Sequence, residues 1–167
     1  MTLRRMTLIL MGIITLVAGL LGSAAGTPSG GVTAETARGP LVDRELDVNM
    51  NFDPATKLKI NTKGDLEVAV QRIVATPGAS FGWHTHPGLT TVTIASGTLT
   101  LYHAEHCADG IEYSAGQSFS NLPDEVHLAR NNGTTDLVLF AWYLVPAKTP
   151  PLALRIDQPL PGAGCSL

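Results

Sequence analysis

The apolar positions of this chain recur at every second residue in short segments rather than at helical spacing. The segments are rich in Val, Ile, Thr, Leu and aromatic residues, and turn residues separate them. Such segments predict β-strands, because alternate side chains of a strand share one face. The clearest strand candidates are Leu66–Val74, Thr90–Ala95, Thr98–His103 and Leu137–Val145. We therefore predict an all-β fold of about eight short strands, either a jelly-roll barrel or a sandwich.

Glycine-containing dipeptides predict where these strands end. Pro77-Gly78 predicts a turn after the first long strand, whereas Ser96-Gly97 and Asn132-Gly133 predict β-hairpins. The last long strand, Leu137–Val145, is almost continuously apolar, which predicts burial on both faces. The proline-rich sequence after Pro146 cannot continue a sheet ladder, so we expect it to wrap around the domain.

The first 45 residues differ from the remainder of the chain. Arg4 and Arg5 precede an apolar run from Met6 to Gly22, and Ser23-Ala24-Ala25 fits a signal-peptidase site. This pattern favours a cleaved export signal, with an N-terminal membrane anchor as the alternative. The predicted organisation begins with a signal peptide at residues 1–25 and a flexible linker rich in Gly, Ser, Thr and Pro at residues 26–45. One folded domain follows at residues 46–160, and a short tail at residues 161–167 ends the chain.

Charge and composition exclude some partners. Residues 1–25 hold two of the eleven basic residues and no acidic one, so without them the formal net charge changes from −3 to −5. Nucleic acids and anionic membranes bind clustered Lys and Arg, and the remaining chain has no such cluster. We therefore expect no nucleic-acid partner and no stable membrane association after signal cleavage. The expected location is secreted or extracytoplasmic.

Three histidines are the strongest chemical signal. His84 and His86 alternate on a predicted strand, so both side chains point to the same face, and His127 lies on a later strand. If the three imidazole rings converge on one point, they can bind a divalent transition-metal ion such as Fe, Mn, Ni or Zn, and we predict such a site. A barrel gathers side chains from distant strands around a small interior, so this placement favours a barrel over a sandwich. The alternative is a polar pocket without metal.

The chain has two cysteines, Cys107 and Cys165. After export to an oxidising compartment, an even number of cysteines in a small domain favours a disulfide. This bond would tie the C-terminal tail to the barrel. The alternatives are unpaired thiols, or a second metal site in which Cys107 joins His103 and His106.

The motif spacing resembles that of the cupin superfamily, in particular its small single-domain bacterial members. The first cupin motif is matched in all its spacings by Gly78, His84, His86, Thr90 and Gly97, although Thr90 replaces the usual Glu. The second motif is matched in outline by Gly116, Pro123, His127 and Asn131, with Glu125 at the usual Gly position. The resemblance covers about residues 66–145. It implies a double-stranded β-helix, that is, a jelly-roll barrel.

The resemblance also implies a metal site and its chemistry. His84, His86 and His127 are expected to be the metal ligands, Thr90 stands where the family has its fourth ligand, and Asn131 is a motif residue that does not bind metal. Thr90 lies four residues after His86, so on a continuing strand its side chain points to the same face and is expected to line the pocket. The implied function is a metal-dependent oxygenase acting on a small anionic or enolic substrate. The alternative is a non-catalytic cupin that binds a small molecule or has a structural role. A homodimer is a further expectation.

Overall fold

The computed structural model describes residues 29–41, 45–149 and 151–167, and it confirms the all-β barrel. The predicted signal peptide at residues 1–25, with its alternative as a membrane anchor, lies outside the described residues. The strands are β1 (Gly30–Pro40), β2 (Asp47–Asn51), β3 (Lys57–Asn61), β4 (Leu66–Ser80), β5 (His84–Thr85), β6 (Leu89–Ser96), β7 (Thr98–His103), β8 (Ile111–Ser114), β9 (Ser118–Asn121), β10 (His127–Arg130), β11 (Leu137–Pro146) and β12 (Ile156–Asp157). Short 3-10 helices span Ala104–His106, Pro151–Leu154 and Ala163–Cys165.

The barrel has two walls of antiparallel strands. One wall has the order β1-β4-β11-β6-β9, and the other has the order β12-β5-β10-β7-β8. The walls join where Ser80, the last residue of β4, pairs with Arg130 of β10. Strands β2 and β3 form a separate two-stranded sheet. The result is a nearly closed double-stranded β-helix, as the sequence predicted.

The hydrophobic core fills the space between the two walls. Alternate residues of β4, β6, β7 and β11 point inward, and their side chains are almost completely buried. Ile94, Leu99 and Leu139 are each at most 2% exposed. Burying a side chain of this size stabilises the fold by about 1.5–3 kcal/mol. The inward positions that are polar instead of apolar cluster at one place in this interior.

The prediction of a flexible linker is wrong for residues 30–40, because these residues form strand β1 along the edge of β4. Arg38 of β1 is also paired with Glu67 of β4. Most side chains of β1 remain exposed, so backbone hydrogen bonds hold it instead of apolar burial. For that reason the segment carries no hydrophobic periodicity that would have revealed a strand.

The two predicted hairpins and the predicted turn are also wrong. Strand β6 pairs with β9 and β11, whereas β7 pairs with β8 and β10, so the chain crosses between walls at Gly97. The segment around Asn132-Gly133 makes the same kind of crossing, because β11 pairs with β4 and β6. Strand β4 continues through Pro77-Gly78 to Ser80, and its register with β1 shifts there. Glycine marks a change of direction at Gly97 and Gly133, but the following strand joins different neighbours, and at Gly78 the strand itself continues.

Strand β11 is buried on one face only. Its residues alternate between buried and more exposed positions, and Phe140 and Trp142 are 44% and 37% exposed on the outer surface. The prediction of burial on both faces is therefore wrong, because an apolar sequence does not reveal whether another element covers the outer face. Tyr143, next to these outward positions, points into the barrel and is 4% exposed.

The C-terminal segment wraps around one wall, as expected for its proline-rich sequence. Strand β12 pairs with β5, and the Nε1 group of Trp83 donates a hydrogen bond to the carbonyl oxygen of Cys165. Cys107 and Cys165 form the predicted disulfide, with their Cα atoms 5.2 Å apart. Within the described part of the chain, no helix has the length and apolar character needed to span a membrane.

Candidate metal centre

Two neighbouring strands bring the three predicted histidines together. His84 begins β5, His127 begins β10, and the two residues are directly paired across the ladder. His86 follows β5 with the same inward direction. All three side chains are at most 5% exposed, and their potential ligand nitrogens lie within 4.8 Å of one another. The ring centroids are 4.3–5.0 Å apart.

Backbone carbonyls fix the tautomer of each ring. The Nδ1 groups of His84, His86 and His127 donate hydrogen bonds to the carbonyl oxygens of Gly82, Leu154 and Glu125, at 2.8, 2.6 and 2.8 Å. A carbonyl oxygen only accepts hydrogen bonds, so each Nδ1 carries the proton. Each Nε2 therefore retains the lone pair that a metal ion requires. A hydrogen bond of this kind commonly orients a metal-binding histidine.

Burial keeps the three imidazoles neutral. It lowers the pKa of His84 well below 6.5, that of His86 to about 4 and that of His127 to about 3. The positive charge of Arg155 lowers all three pKa values further, since it disfavours a second cation nearby. Neutral imidazole is the form that binds metal ions. At neutral pH this site therefore needs no deprotonation before it can bind one.

A cavity of about 280 Å³ opens beside the histidines. Most of its lining is apolar and includes Phe81, Leu99 and Leu139. Its polar lining residues are Ser29, Gln71, His84, His86, Thr90, Asn121, His127, Tyr143 and Arg155. Among the described residues that line it there is no carboxylate. A concave, largely apolar cavity with convergent polar groups is the usual form of a small-molecule site.

The side chain of Thr90 points inward and lies in the cavity wall, as predicted from the alternation of residues along its strand. It is 1% exposed, and its Oγ1 has no hydrogen-bond partner among the described residues. A buried polar atom without a partner costs about 1–3 kcal/mol. Such an atom facing a cavity indicates a place where a ligand can supply the missing hydrogen bond.

The side chain of Asn131 has a structural role, as the sequence motif indicated. Its Nδ2 group donates to the carbonyl oxygens of Ala75 and Thr135, at 2.9 and 2.8 Å, and its Oδ1 accepts from the backbone N–H of Gly133. These bonds hold the crossing between β10 and β11. The residue thus supports the loop and does not line the cavity.

Asn121 and Arg155 are among the polar lining residues that sequence reasoning missed. Asn121 ends β9, is 2% exposed and lies opposite Thr90 in the ladder. Its Nδ2 is 3.1 Å from the Nε2 of His127. Arg155 reaches the cavity from the C-terminal segment, with its Nε donating to Asp157 at 2.6 Å. The only sequence signals were the inward parity that Asn121 shares with Phe119 and the isolated charge of Arg155 between Leu154 and Ile156.

Tyr143 forms the wall next to His86. Their ring centroids are 5.5 Å apart, and the hydroxyl of Tyr143 donates a hydrogen bond to Gln71 at 2.8 Å. Burial raises the pKa of this phenol above its usual value. Tyr143 is therefore a neutral hydrogen-bonding group and not a base at physiological pH.

The family comparison matches residues 71–143 to the family described as the Cupin domain. No curated protein matches the chain. Solved structures of similar shape include an uncharacterized conserved protein with a double-stranded β-helix domain from Klebsiella pneumoniae subsp. pneumoniae, with 22% identity, a TM-score of 0.45, and coverage of 55% of this chain and 75% of that one.

Two further structures have lower identity. The polyketide cyclase RemF from Streptomyces resistomycificus is 12% identical, with a TM-score of 0.49 and coverage of 79% of this chain and 74% of its own. A cupin domain from Bordetella pertussis is 19% identical, with a TM-score of 0.40 and coverage of 65% and 92%.

Proposed function

Because this chain belongs to the cupin superfamily, we propose that it binds one divalent transition-metal ion through His84, His86 and His127 and takes a small anionic or enolic molecule into the cavity beside them. The observation that carries this proposal is the set of three unprotonated Nε2 atoms in one buried place. The three imidazole nitrogens fit such an ion, because imidazole is a suitable ligand for Fe, Ni and Zn.

The ion would supply Lewis acidity and open coordination positions to the bound molecule. The chain's own contribution is a donor set with no charge. Three neutral imidazoles and no carboxylate leave both positive charges of the ion uncompensated, so the site favours an anion as its additional ligand. Thr90, at the usual Glu position, offers a hydroxyl in place of that charge.

Arg155 supports the proposed preference for an anion. Its side chain lines the same cavity, and its charge is close enough to depress the pKa of all three histidines. Asp157 fixes the Nε side of the guanidinium by a hydrogen bond. A guanidinium at the wall of a partly apolar cavity attracts a carboxylate or enolate and orients it.

The other lining residues exclude water and position the bound molecule. Leu154 lines the cavity with a side chain that is 3% exposed, and Phe81 lines it from the hydrophobic core. Tyr143 presents a neutral aromatic wall. Apolar walls that displace water strengthen the attraction between an anion and the charges around it.

We propose an oxygenase in preference to a hydrolase or an isomerase. The described lining contains no Asp or Glu, and the buried Tyr143 is not a base, so chemistry that needs a carboxylate base has no residue to perform it. A reaction between dioxygen and a molecule that binds already as its enolate does not require such a base. The same observation supports the alternative function, a cupin that captures a small anion without converting it.

The proposed location is extracytoplasmic, and the proposed domain organisation retains a signal peptide at residues 1–25. The disulfide between Cys107 and Cys165 supports this location, because such bonds persist in oxidising compartments. N-terminal sequencing of the mature protein tests directly whether the signal peptide is cleaved. A mature N-terminus near residue 26 is the expected result.

The experiment that tests the proposed function measures metal content and ligand capture together. Wild-type protein should bind one metal ion per chain and, with the metal, a small carboxylate or enolisable keto acid. The triple variant with Ala at positions 84, 86 and 127 should lose both. His106→Ala, which removes an exposed histidine, should retain both. Oxygen consumption with the captured molecule separates the oxygenase from the non-catalytic alternative.

A further inference from the structure

We propose that Asn121 is a fourth protein ligand of the metal, binding it through the side-chain oxygen Oδ1. This inference rests on the proposed metal site and goes beyond it. The family places its fourth ligand on the strand that carries Thr90, whereas here the additional ligand comes from the neighbouring strand β9. The two positions are direct partners in the ladder between β6 and β9.

The position of Asn121 directs its side chain into the barrel. It is the last residue of β9, it is 2% exposed, and it lines the same cavity as the three histidines. Phe119, two residues earlier, also lines the cavity, whereas Ser120 between them is exposed on the outer face and contacts Thr91. An asparagine at an inward position of a β-barrel is a polar group in an otherwise apolar row.

The contact with His127 places the amide group beside the Nε2 atom that would bind the ion. The Nδ2 of Asn121 is 3.1 Å from the Nε2 of His127, and this Nε2 has one lone pair, since Nδ1 carries the proton. That lone pair either accepts the hydrogen bond from Asn121 or binds a metal ion. When the ion takes it, the amide of Asn121 loses its partner and remains beside the ion.

The oxygen of the same amide is available for the ion. The Oδ1 of Asn121 is buried and has no hydrogen-bond partner in the described part of the chain. Rotation about the last side-chain bond exchanges Oδ1 and Nδ2, because the two ends of an amide have nearly the same shape. Among the described residues, the rotation breaks no side-chain hydrogen bond of Asn121 other than the one to His127, and it turns an oxygen donor toward the proposed ion.

Asn121 suits this role better than Thr90 does. An amide oxygen carries a larger partial negative charge than a neutral hydroxyl and is an established ligand of divalent cations. Thr90 has its own unpartnered Oγ1 in the same wall, next to Asn121. That hydroxyl is a suitable acceptor for the Nδ2 group that the rotation displaces. The two unpartnered oxygens of the site thereby acquire partners together.

The proposal changes the expected character of the site. Three imidazoles and one amide oxygen are all neutral, so the ion retains both charges, but fewer positions remain open to an incoming molecule. For a six-coordinate ion, two positions remain, which is the number that a chelating anion occupies. Such a site would favour small bidentate anions over monodentate ones.

The test compares three variants of the full chain in their affinity for Co²⁺ at pH 8. Asn121→Leu keeps the side-chain shape but removes the oxygen donor, and we expect its Co²⁺ affinity to fall roughly 10-fold or more. Asn121→Asp replaces the amide with a charged oxygen donor, and we expect its affinity to rise by a similar factor. Ser120→Ala, on the outer face of the same strand, should remain within about twofold of wild type.

The visible absorption of bound Co²⁺ gives a readout that a structural role would not change. We expect the spectrum of Asn121→Leu to differ from that of wild type, because the ion loses one ligand. If wild type binds Co²⁺ and Asn121→Leu has the same affinity and spectrum, the role of Asn121 is disproved while the three-histidine site stands. If Asn121→Leu does not fold, an affinity of Asn121→Asp equal to that of wild type disproves the role instead. If wild type binds no metal, the proposed function itself fails.

Discussion

The Nδ1 group of His86 donates a hydrogen bond of 2.6 Å to the carbonyl oxygen of Leu154, a residue 68 positions later in the chain. This bond fixes the tautomer of one proposed metal ligand from the C-terminal segment. The same segment pairs with β5 through β12, and its backbone at Gln158 donates to the carbonyl oxygen of Trp83 at 2.8 Å. The geometry of the metal site therefore depends on the docking of this segment.

Removal of the disulfide should weaken metal binding as well as stability. In the chain-entropy treatment, a bond between residues 58 positions apart stabilises the fold by about 4 kcal/mol. The variant with Ser at positions 107 and 165 should show this loss in denaturant unfolding. It should also bind metal roughly 10-fold more weakly, because Leu154 is held less firmly against His86.

A reducing agent added to wild-type protein provides the matched comparison for the disulfide variant. Both samples should have the same lowered stability and the same lowered metal affinity. Metal affinity that stays at the wild-type level in both would show that the C-terminal segment remains docked without the covalent bond.

The unfolding free energy of metal-free protein should fall as the pH is lowered from 7 to 5. Burial holds the pKa of His86 at about 4 and that of His127 at about 3, whereas the unfolded chain binds protons near pH 6.5. Because the unfolded state then binds more protons, each buried histidine reduces stability by about 2 kcal/mol over this interval. Urea unfolding at a series of pH values, in the presence of a chelator, measures the slope.

A variant separates these histidines from other titrating groups. His127→Gln should show a shallower pH dependence than wild type, even where its stability at pH 7 is lower. A wild-type stability that is constant between pH 7 and pH 5 would contradict the burial of neutral imidazoles.

Arg155 should control the capture of anions. Arg155→Gln keeps hydrogen-bonding capacity and removes the charge, so we expect the affinity of the metal-loaded protein for malonate to fall roughly 10-fold. Arg72→Gln removes the same charge from the outer face of β4 and serves as the control. Calorimetric titration measures both. Equal losses in the two variants would indicate a general effect of net charge and not recognition by Arg155.

Gly97 should be a position where a methyl group is not tolerated. Its φ is +79°, and a Cβ there would lie 2.9 Å from the carbonyl oxygen of Asp136, at the crossing between the walls. Gly116 has a similar φ of +86° but open space around it. Gly116→Ala should cost about 1–2 kcal/mol from the backbone conformation alone, and Gly97→Ala should cost more. Equal losses of unfolding free energy in the two variants would show that the backbone at the crossing shifts to accommodate the methyl group without a further cost.

Local sequence patterns predicted the parts of this protein that depend on strand parity. The alternation at His84 and His86, the inward position of Thr90 and the strands around them all follow from the two-residue period of a strand. The crossings at Gly97 and Gly133 did not follow, because a turn residue fixes only the local change of direction. Whether the next strand pairs with the previous one or enters the other wall depends on contacts with distant strands.

The missed site residues have the same physical origin. Asn121 contacts His127 only because β9 and β10 enclose one interior, and Arg155 reaches the cavity only because its segment docks against β5. Strand β1 was missed because its exposed side chains carry no periodic signal. Each of these features is a tertiary contact without a local pattern.

The central claim is that His84, His86 and His127 hold one metal ion through Nε2. Anomalous diffraction from crystals of the metal-loaded protein, measured at the absorption edge of the metal, tests it most directly. We expect one strong peak about 2.0–2.2 Å from all three Nε2 atoms. A metal-loaded crystal with no peak at this place, or with its peak at another cluster of residues, would contradict the claim.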